Sequence, residues 1–218
     1  MKRDYKEIIR NAPVYEVYRR WRSHRLERKA LQLWEKSGRP VPPPHVVKER
    51  AVKSYGRRFG LQVFVETGTY LGDMVDAIKW RFPEIYPIEL GEDLHKNACL
   101  RFARYKHVRL LQGDSAKMLR ELLPKLNRSP LIGLDPHFSG GSTVRGDGET
   151  PIVEELETIF NQKHIDPVIL IDDARLFDGI NGYPTCEELK EMARQRRAAW
   201  LFGVSDDIIR LHGPGPAC

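Results

Sequence analysis

The sequence predicts a doubly wound α/β fold with a mostly parallel sheet, preceded by an N-terminal helical extension, and three observations predict it. From Leu61 onward, short and nearly continuous apolar runs alternate with helix-length segments, the pattern of strands covered on both faces by crossover helices. The run Val63-Phe64-Val65 ends in Glu66 and passes through Gly68 and Gly72 into a helical segment, as a buried strand does when it turns tightly over a ligand. The last two runs, Trp200 to Val204 and Ile208 to Leu211, flank Ser205-Asp206-Asp207 as a hairpin, so the sheet should close on an antiparallel strand.

Taken in order, Val14 to Lys36 reads as an amphipathic helix, with Val17, Trp21, Leu26, Leu33 and Trp34 set between arginines. Gly38 to Pro44 then stops it as a stiff, proline-rich linker, since proline has no N–H and biases its neighbours toward extended backbone. Residues 1–50 are therefore an extension and 51–218 the main domain. Expected strands are Leu61 to Glu66, Ile85 to Glu89, Val108 to Leu111, Leu131 to Leu134 and Val168 to Ile171, with helices running to about Phe82, from about Asp93 to Tyr105, from Ser115 to Leu126 and over Ile152 to Phe160. Two helix starts are well marked. Thr150-Pro151 precedes Glu154 and Glu155, a cap followed by first-turn acids, and Thr185 with Glu188 makes a capping box.

The 218 residues carry 41% hydrophobic and 30% charged residues, an ordinary globular composition with no run near the ~18 apolar residues that span a bilayer. Met1-Lys2-Arg3-Asp4 leads into no apolar stretch, so no secretory signal is expected. Three widely spaced cysteines, Cys99, Cys186 and Cys218, suit neither a disulfide framework nor a zinc site, and a reducing cytoplasm is the expected home. The net charge of +6 hides an asymmetry: residues 1–60 hold 17 Lys plus Arg against 6 acids, the remainder 19 against 24. The basic character belongs to the extension. Its helix can pack on the core, on a second copy of the chain, or on an anionic membrane surface at the inner face, with Trp21 and Trp34 at the headgroups and Arg19, Arg20, Arg22, Arg25 and Arg28 on phosphates. Nucleic acid is the less favoured partner, because no aromatic stacking motif accompanies the arginines.

The chemistry of the turn argues which ligand it serves. A dinucleotide turn wants G-x-G-x-x-G, so that backbone can approach a pyrophosphate at a helix N-terminus. Here the middle position is Tyr70, and Glu66 and Asp73 bring negative charge where a diphosphate needs positive potential. A cationic ligand suits it better, and S-adenosylmethionine, a sulfonium and an ammonium without phosphate, is the first candidate. Glu89 follows the second run, 21 residues after Gly68, where an acid can accept from both ribose hydroxyls. The third run leads into Gln112-Gly113-Asp114-Ser115; Asp114 can accept from an adenine amine and Ser115 can cap the next helix. Each acid alone could be a plain helix cap, but three in register at successive strand ends point to one pocket.

With VETGTYLGD, IELGED and GDS as its three motifs, the chain over residues 61–135, and less tightly to 211, resembles class I S-adenosylmethionine-dependent methyltransferases. Leu134-Asp135 and Ile171-Asp172-Asp173 further resemble the metal-dependent sugar O-methyltransferases of the macrocin type, although Pro136-His137-Phe138-Ser139-Gly140-Gly141 departs from that pattern. The resemblance implies a Rossmann-like seven-stranded sheet of order 3-2-1-4-5-7-6 and cofactor contacts from Glu66, Thr67, Gly68, Thr69, Gly72, Glu89, Asp114 and Ser115. It also implies Mg²⁺ held by Asp135, Asp172 and Asp173. The acceptor would be a small-molecule or glycosyl hydroxyl, deprotonated by His137 or by Asp135. Asp173 pairing with Arg175 and Asp172 capping a turn is the competing arrangement. Rival functions are a cofactor-binding or membrane-associated scaffold without catalysis and a nicotinamide-dependent oxidoreductase. Residues 139–150, polar and glycine-rich, form a long connection whose one cation, Arg145, could grip an anionic acceptor.

Overall fold

The computed structural model describes residues 13–136 and 150–215, with side chains of the first helix described from Arg25 onward. His137 and Arg145 lie outside the described residues, as do the side chains of Trp21, Arg19, Arg20 and Arg22. By its internal packing the chain divides into two compact units, residues 1–47 and 48–218.

In the first unit, helix α1 (Pro13–Lys36) carries Leu31 and Trp34, which cluster with Val46 and Val47. The Trp34 indole N–H donates to the Pro40 carbonyl at 2.7 Å. Trp34 is 8% exposed, so this ring, expected at a headgroup in the membrane reading, is instead taken up by the packing of its own unit. No helix among the described residues is long and apolar enough to cross a membrane.

Helix α2 (His45–Arg58) is not foreseen by the sequence reading. Its mean composition is too charged for the apolar stripe to stand out, yet Val52 is buried with Ala51 and Tyr55 packed beside it. The main body then alternates β1 (Val63–Thr67), α3 (Asp73–Ile78), β2 (Glu84–Glu89), α4 (Glu92–Phe102), β3 (Leu111–Gln112), α5 (Ser115–Leu122), β4 (Pro130–Leu134), α6 (Ile152–Phe160), β5 (Val168–Ile171), α7 (Cys186–Arg196) and the hairpin β6 (Leu201–Ser205) and β7 (Ile208–His212). The seven strands run in the order β3-β2-β1-β4-β5-β7-β6, as expected. β1 pairs in parallel with both β2 and β4, while β7 is antiparallel to β5 and β6. The winding reverses between β1 and β4, which opens a crevice above their carboxyl ends.

Both faces of the sheet are dry. Along β1, Val63 and Val65 enter one core with Ile132, Leu134, Ile169 and Ile171, and Phe64 enters the other with Leu131, Val168 and Leu170. Helices α5, α6 and α7 cover the first face, and α2, α3 and α4 the second. Each fully buried aliphatic side chain contributes about 1.5–3 kcal/mol, so the rigid base of the crevice is held by residues that never touch a ligand.

Several boundaries differ from expectation for local reasons. α3 stops at Ile78, well short of Phe82, and the chain tightens there into a turn in which the Arg81 N–H donates to the Ile78 carbonyl at 2.7 Å. α5 ends at Leu122 and tightens into a 3-10 turn over Leu123–Lys125, where Pro124 lacks the N–H a longer helix would use. β3 is only two residues long, with Val108 bridging Ile85 apart from it. The capping box of α7 is present: the Thr185 hydroxyl accepts from the Glu188 N–H at 3.2 Å, and Glu188 accepts from the Thr185 N–H at 2.7 Å.

Candidate active site

Above the carboxyl ends of β1, β2 and β3 lies a hollow open to solvent, walled by Thr67, Gly68, Glu89, Asp114, Asp135 and Glu155 among others. Six of the expected residues line it: Thr67, Gly68, Glu89, Asp114, Ser115 and Asp135.

Glu89 is held firmly. Its Oε2 accepts from the Tyr70 N–H at 2.7 Å and its Oε1 from the Gly91 N–H at 2.8 Å, and the residue is 1% exposed. Each carboxylate oxygen keeps a further lone pair, so this orientation leaves acceptor capacity toward the hollow. Tyr70 pays for its N–H position with a left-handed backbone, φ 49°, and points its ring outward at 58% exposure. Thr69 bonds the turn to β2, its N–H and hydroxyl both donating to the Ile88 carbonyl at 3.2 Å.

The two glycines have different jobs. At Gly68, φ is 71° and an added Cβ would stand 3.1 Å from the Asp135 Cβ, so glycine keeps the mouth of the hollow clear. At Gly72, the left-handed residue that precedes α3, a Cβ would fall 2.7 Å from the Phe102 ring. That is helix packing, and Gly72, like Thr69 and Glu66, does not line the hollow. Asp114, not Ser115, caps α5: its Oδ1 accepts from the Lys117 N–H at 2.9 Å, and Ser115 becomes the first helical residue.

Glu66 sits beside the hollow, 9% exposed, with Oε2 buried and without a hydrogen-bond partner among the described residues. Burial, and then the nearby Asp135 and Glu89 carboxylates, push it up to about 8, against a smaller opposing pull from the Thr69 hydroxyl. Glu66, Glu89, Asp114 and Glu155 make no ion pair with Lys or Arg among the described residues.

Asp172 and Asp173 are in the opposite condition. Lys48 Nζ bonds Asp172 and stands 3.4 Å from Asp173 Oδ1, while Arg175 Nη1 bonds the same Asp173 oxygen at 2.7 Å and also bonds Asp207. Asp173 N–H donates to Asp172 Oδ1 at 2.9 Å. Neither acid lines the hollow with Asp135, and no group of three His, Cys, Asp or Glu among the described residues is gathered so as to hold a metal ion. The expected trio of Asp135, Asp172 and Asp173 therefore does not fit Mg²⁺ here. An ammonium and a guanidinium already neutralise the pair, and a divalent ion would have to displace both.

Two residues of this region escaped the sequence reading. Lys48 gave no local signal. Glu155 did: it falls on the same helical face as Ile152, Leu156 and Ile159, an acid inside an apolar stripe, and it is fully buried. Its neighbour Glu154 behaves as the first-turn acid expected of both, pairing on the surface with Arg120 at 2.7 Å.

No protein-family model and no curated protein matches the sequence. Solved structures do. The chain is similar to the O-methyltransferase TomG from Streptomyces achromogenes, crystallised with S-adenosylmethionine, at 15% identity over 86% of this chain and 89% of that one, TM-score 0.55. It is similar to an O-methyltransferase from Bacillus cereus, solved with S-adenosylhomocysteine, at 13% identity over 85% and 88%, TM-score 0.54. It also resembles the 23S rRNA methyltransferase ErmE at 12% identity over 77% of this chain and 67% of that one, TM-score 0.50. At such identities the likeness concerns architecture: the chain shares the fold of these methyltransferases.

Proposed function

We propose that the chain is an S-adenosylmethionine-dependent O-methyltransferase acting on a small-molecule or glycosyl hydroxyl. The observation that carries this reading is the set of acids at the ends of β1, β2 and β3, buried or half-buried and without cationic partners among the described residues, next to the glycine-opened turn. Buried carboxylates without cations are costly, and a ligand bearing positive charge relieves that cost. The fit is supported by the orphaned Glu66 Oε2 and by the clearance at Gly68.

When bound, S-adenosylmethionine supplies an electrophilic methyl group. The chain's own residues do the rest. Glu89, fixed by two backbone donors, accepts from the ribose hydroxyls; Asp114 accepts from the adenine amine with the oxygen that the Lys117 cap leaves over; Glu66, beside the hollow, attracts the charged amino-acid end. Asp135, at the edge of the hollow beside Gly68, is the described residue best placed to take the proton of an acceptor hydroxyl. His137 is the other candidate for that role.

The solved neighbours name both small-molecule and ribosomal RNA acceptors, so architecture does not choose between them. The −5 balance of residues 61–218 favours a small acceptor over RNA. A salt-sensitive gel shift with structured RNA would reverse that preference. For the cofactor, the test is thermal stabilisation by S-adenosylmethionine, S-adenosylhomocysteine, NAD and NADP. Selective stabilisation by the first two supports the reading, and a response to the nicotinamides alone overturns it.

A further inference from the structure

Resting on the cofactor reading above, we propose that Glu155 reads the nucleobase from the inner wall of the hollow, its carboxyl accepting from the adenine amine and donating to the ring nitrogen beside that amine. Three observations lead there. Glu155 on α6 is 0% exposed and yet lines the hollow. Both its oxygens are buried without a hydrogen-bond partner among the described residues, and so is the Thr67 hydroxyl next to them. The same wall carries Asp114 and Ser115, the residues placed to meet the adenine amine.

The protonation state follows from the surroundings. Burial above all, opposed by the nearby Ser115 and Thr67 hydroxyls and reinforced by the Asp114 and Asp135 carboxylates, leaves the Glu155 carboxyl raised to about 7, and neither of its oxygens reaches hydrogen-bond geometry with either hydroxyl. Asp114 faces it from the β3–α5 junction and Asp135 from the end of β4; among the described residues no Lys or Arg pairs with it. A carboxyl that keeps its proton presents a donor and an acceptor side by side. Adenine offers the matching pair, an amine hydrogen next to N7 or N1. The amine has two hydrogens, so Asp114 and Glu155 can each take one. A purine with a 6-oxo group would set carbonyl oxygen against the acceptors of both acids, which makes Glu155 a specificity-determining residue for adenine.

The test is calorimetric titration of the full chain with S-adenosylhomocysteine and its 7-deaza and 1-deaza analogues, at pH 6 and pH 8.5, in wild type, Glu155→Gln and Glu155→Leu. Wild type at pH 6 should bind the parent about tenfold or more tighter than one of the two analogues, the cost of leaving a buried donor unpaired, and that analogue identifies the nitrogen. The preference should shrink at pH 8.5 in wild type, persist at both pH values in Glu155→Gln, whose amide donates and accepts without titrating, and vanish in Glu155→Leu. Equal affinity for all three ligands in wild type, or an undiminished preference in Glu155→Leu, overturns the proposal while leaving the cofactor reading intact. If Glu155→Leu does not fold, the same pH course in wild type and Glu155→Gln overturns it. Failure of S-adenosylhomocysteine to bind wild type at either pH removes the cofactor reading and this inference with it.

Discussion

Two acidic clusters crown the same sheet, and they differ in who neutralises them. At the end of β5, Asp172, Asp173 and Asp207 are clasped by Lys48 and Arg175. At the ends of β1 to β3, Glu66, Glu89 and Asp114, with Glu155 beneath them, have only backbone donors, hydroxyls or nothing. Strand-end acids of like appearance in the sequence therefore serve opposite ends. The first cluster has its charge satisfied within the chain and fastens β5 to α2 and to the β6–β7 turn. The second leaves its carboxyls without cations around a hollow, and on this the proposed cofactor reading rests.

The largest effect that sharpens this contrast is expected at Glu89. Glu89→Ala removes a carboxylate that two backbone N–H groups hold in place, and should weaken S-adenosylhomocysteine binding about a hundredfold by calorimetry, at ~1.5–3 kcal/mol for each charge-assisted bond lost. An affinity within threefold of wild type would separate the second cluster from ligand binding.

At the first cluster the loss should be structural. Lys48→Met strands Asp172, whose own carboxyl is already raised above its usual range by burial in spite of Lys48. Urea unfolding should show a destabilisation of about 1–3 kcal/mol, less than for a fully buried pair because both side chains are about one-fifth exposed. Adding Asp172→Asn should restore part of it, since the stranded charge goes too. Additive losses in the double variant would mean the pair is not coupled.

The next difference is one of pH. Glu66 and Glu155 have folded-state values of about 8 and about 7, above the ordinary 4.5. The folded chain thus holds protons that the unfolded chain has released, and stability must fall as pH rises from about 4.5 through 8. The melting temperature of the ligand-free protein should decline over that window, and Glu66→Gln should flatten the decline. An undiminished slope in that variant would place the Glu66 proton elsewhere.

The smallest contrast lies within the turn. Gly68→Ala should chiefly weaken cofactor binding, because its Cβ faces Asp135 at the hollow, whereas Gly72→Ala should chiefly lower stability, by about 1–3 kcal/mol, because its Cβ meets Phe102. Parallel effects of the two substitutions on binding would show that the turn acts as one piece.

Much of this was legible in the sequence. The alternation of strands and helices follows from apolar runs separated by helix-length segments, the strand order from the resemblance to class I methyltransferases, and Glu89 and Asp114 stand at strand ends, where doubly wound sheets place ligand-binding residues. What could not be read was compensation. Lys48 reaches Asp172 across 124 residues of chain, and no local pattern announces such a contact, so the Asp172-Asp173 pair looked like a metal site. Glu155 was hidden by a correct rule: acids favour the first turn of a helix, which explains Glu154 but passes over the helical face that Glu155 shares with Ile152 and Ile159. At Gly72 the sequence does not separate packing from ligand contact, and the structure adds the packing part, a close approach to the Phe102 ring.

Titrating S-adenosylmethionine into wild type, Glu89→Ala and Lys48→Met side by side decides whether the two clusters differ as proposed. One-to-one binding is expected in wild type, retained in a folded Lys48→Met and lost in Glu89→Ala. Binding that disappears with Lys48 while surviving the loss of Glu89, or no binding by wild type, would contradict it.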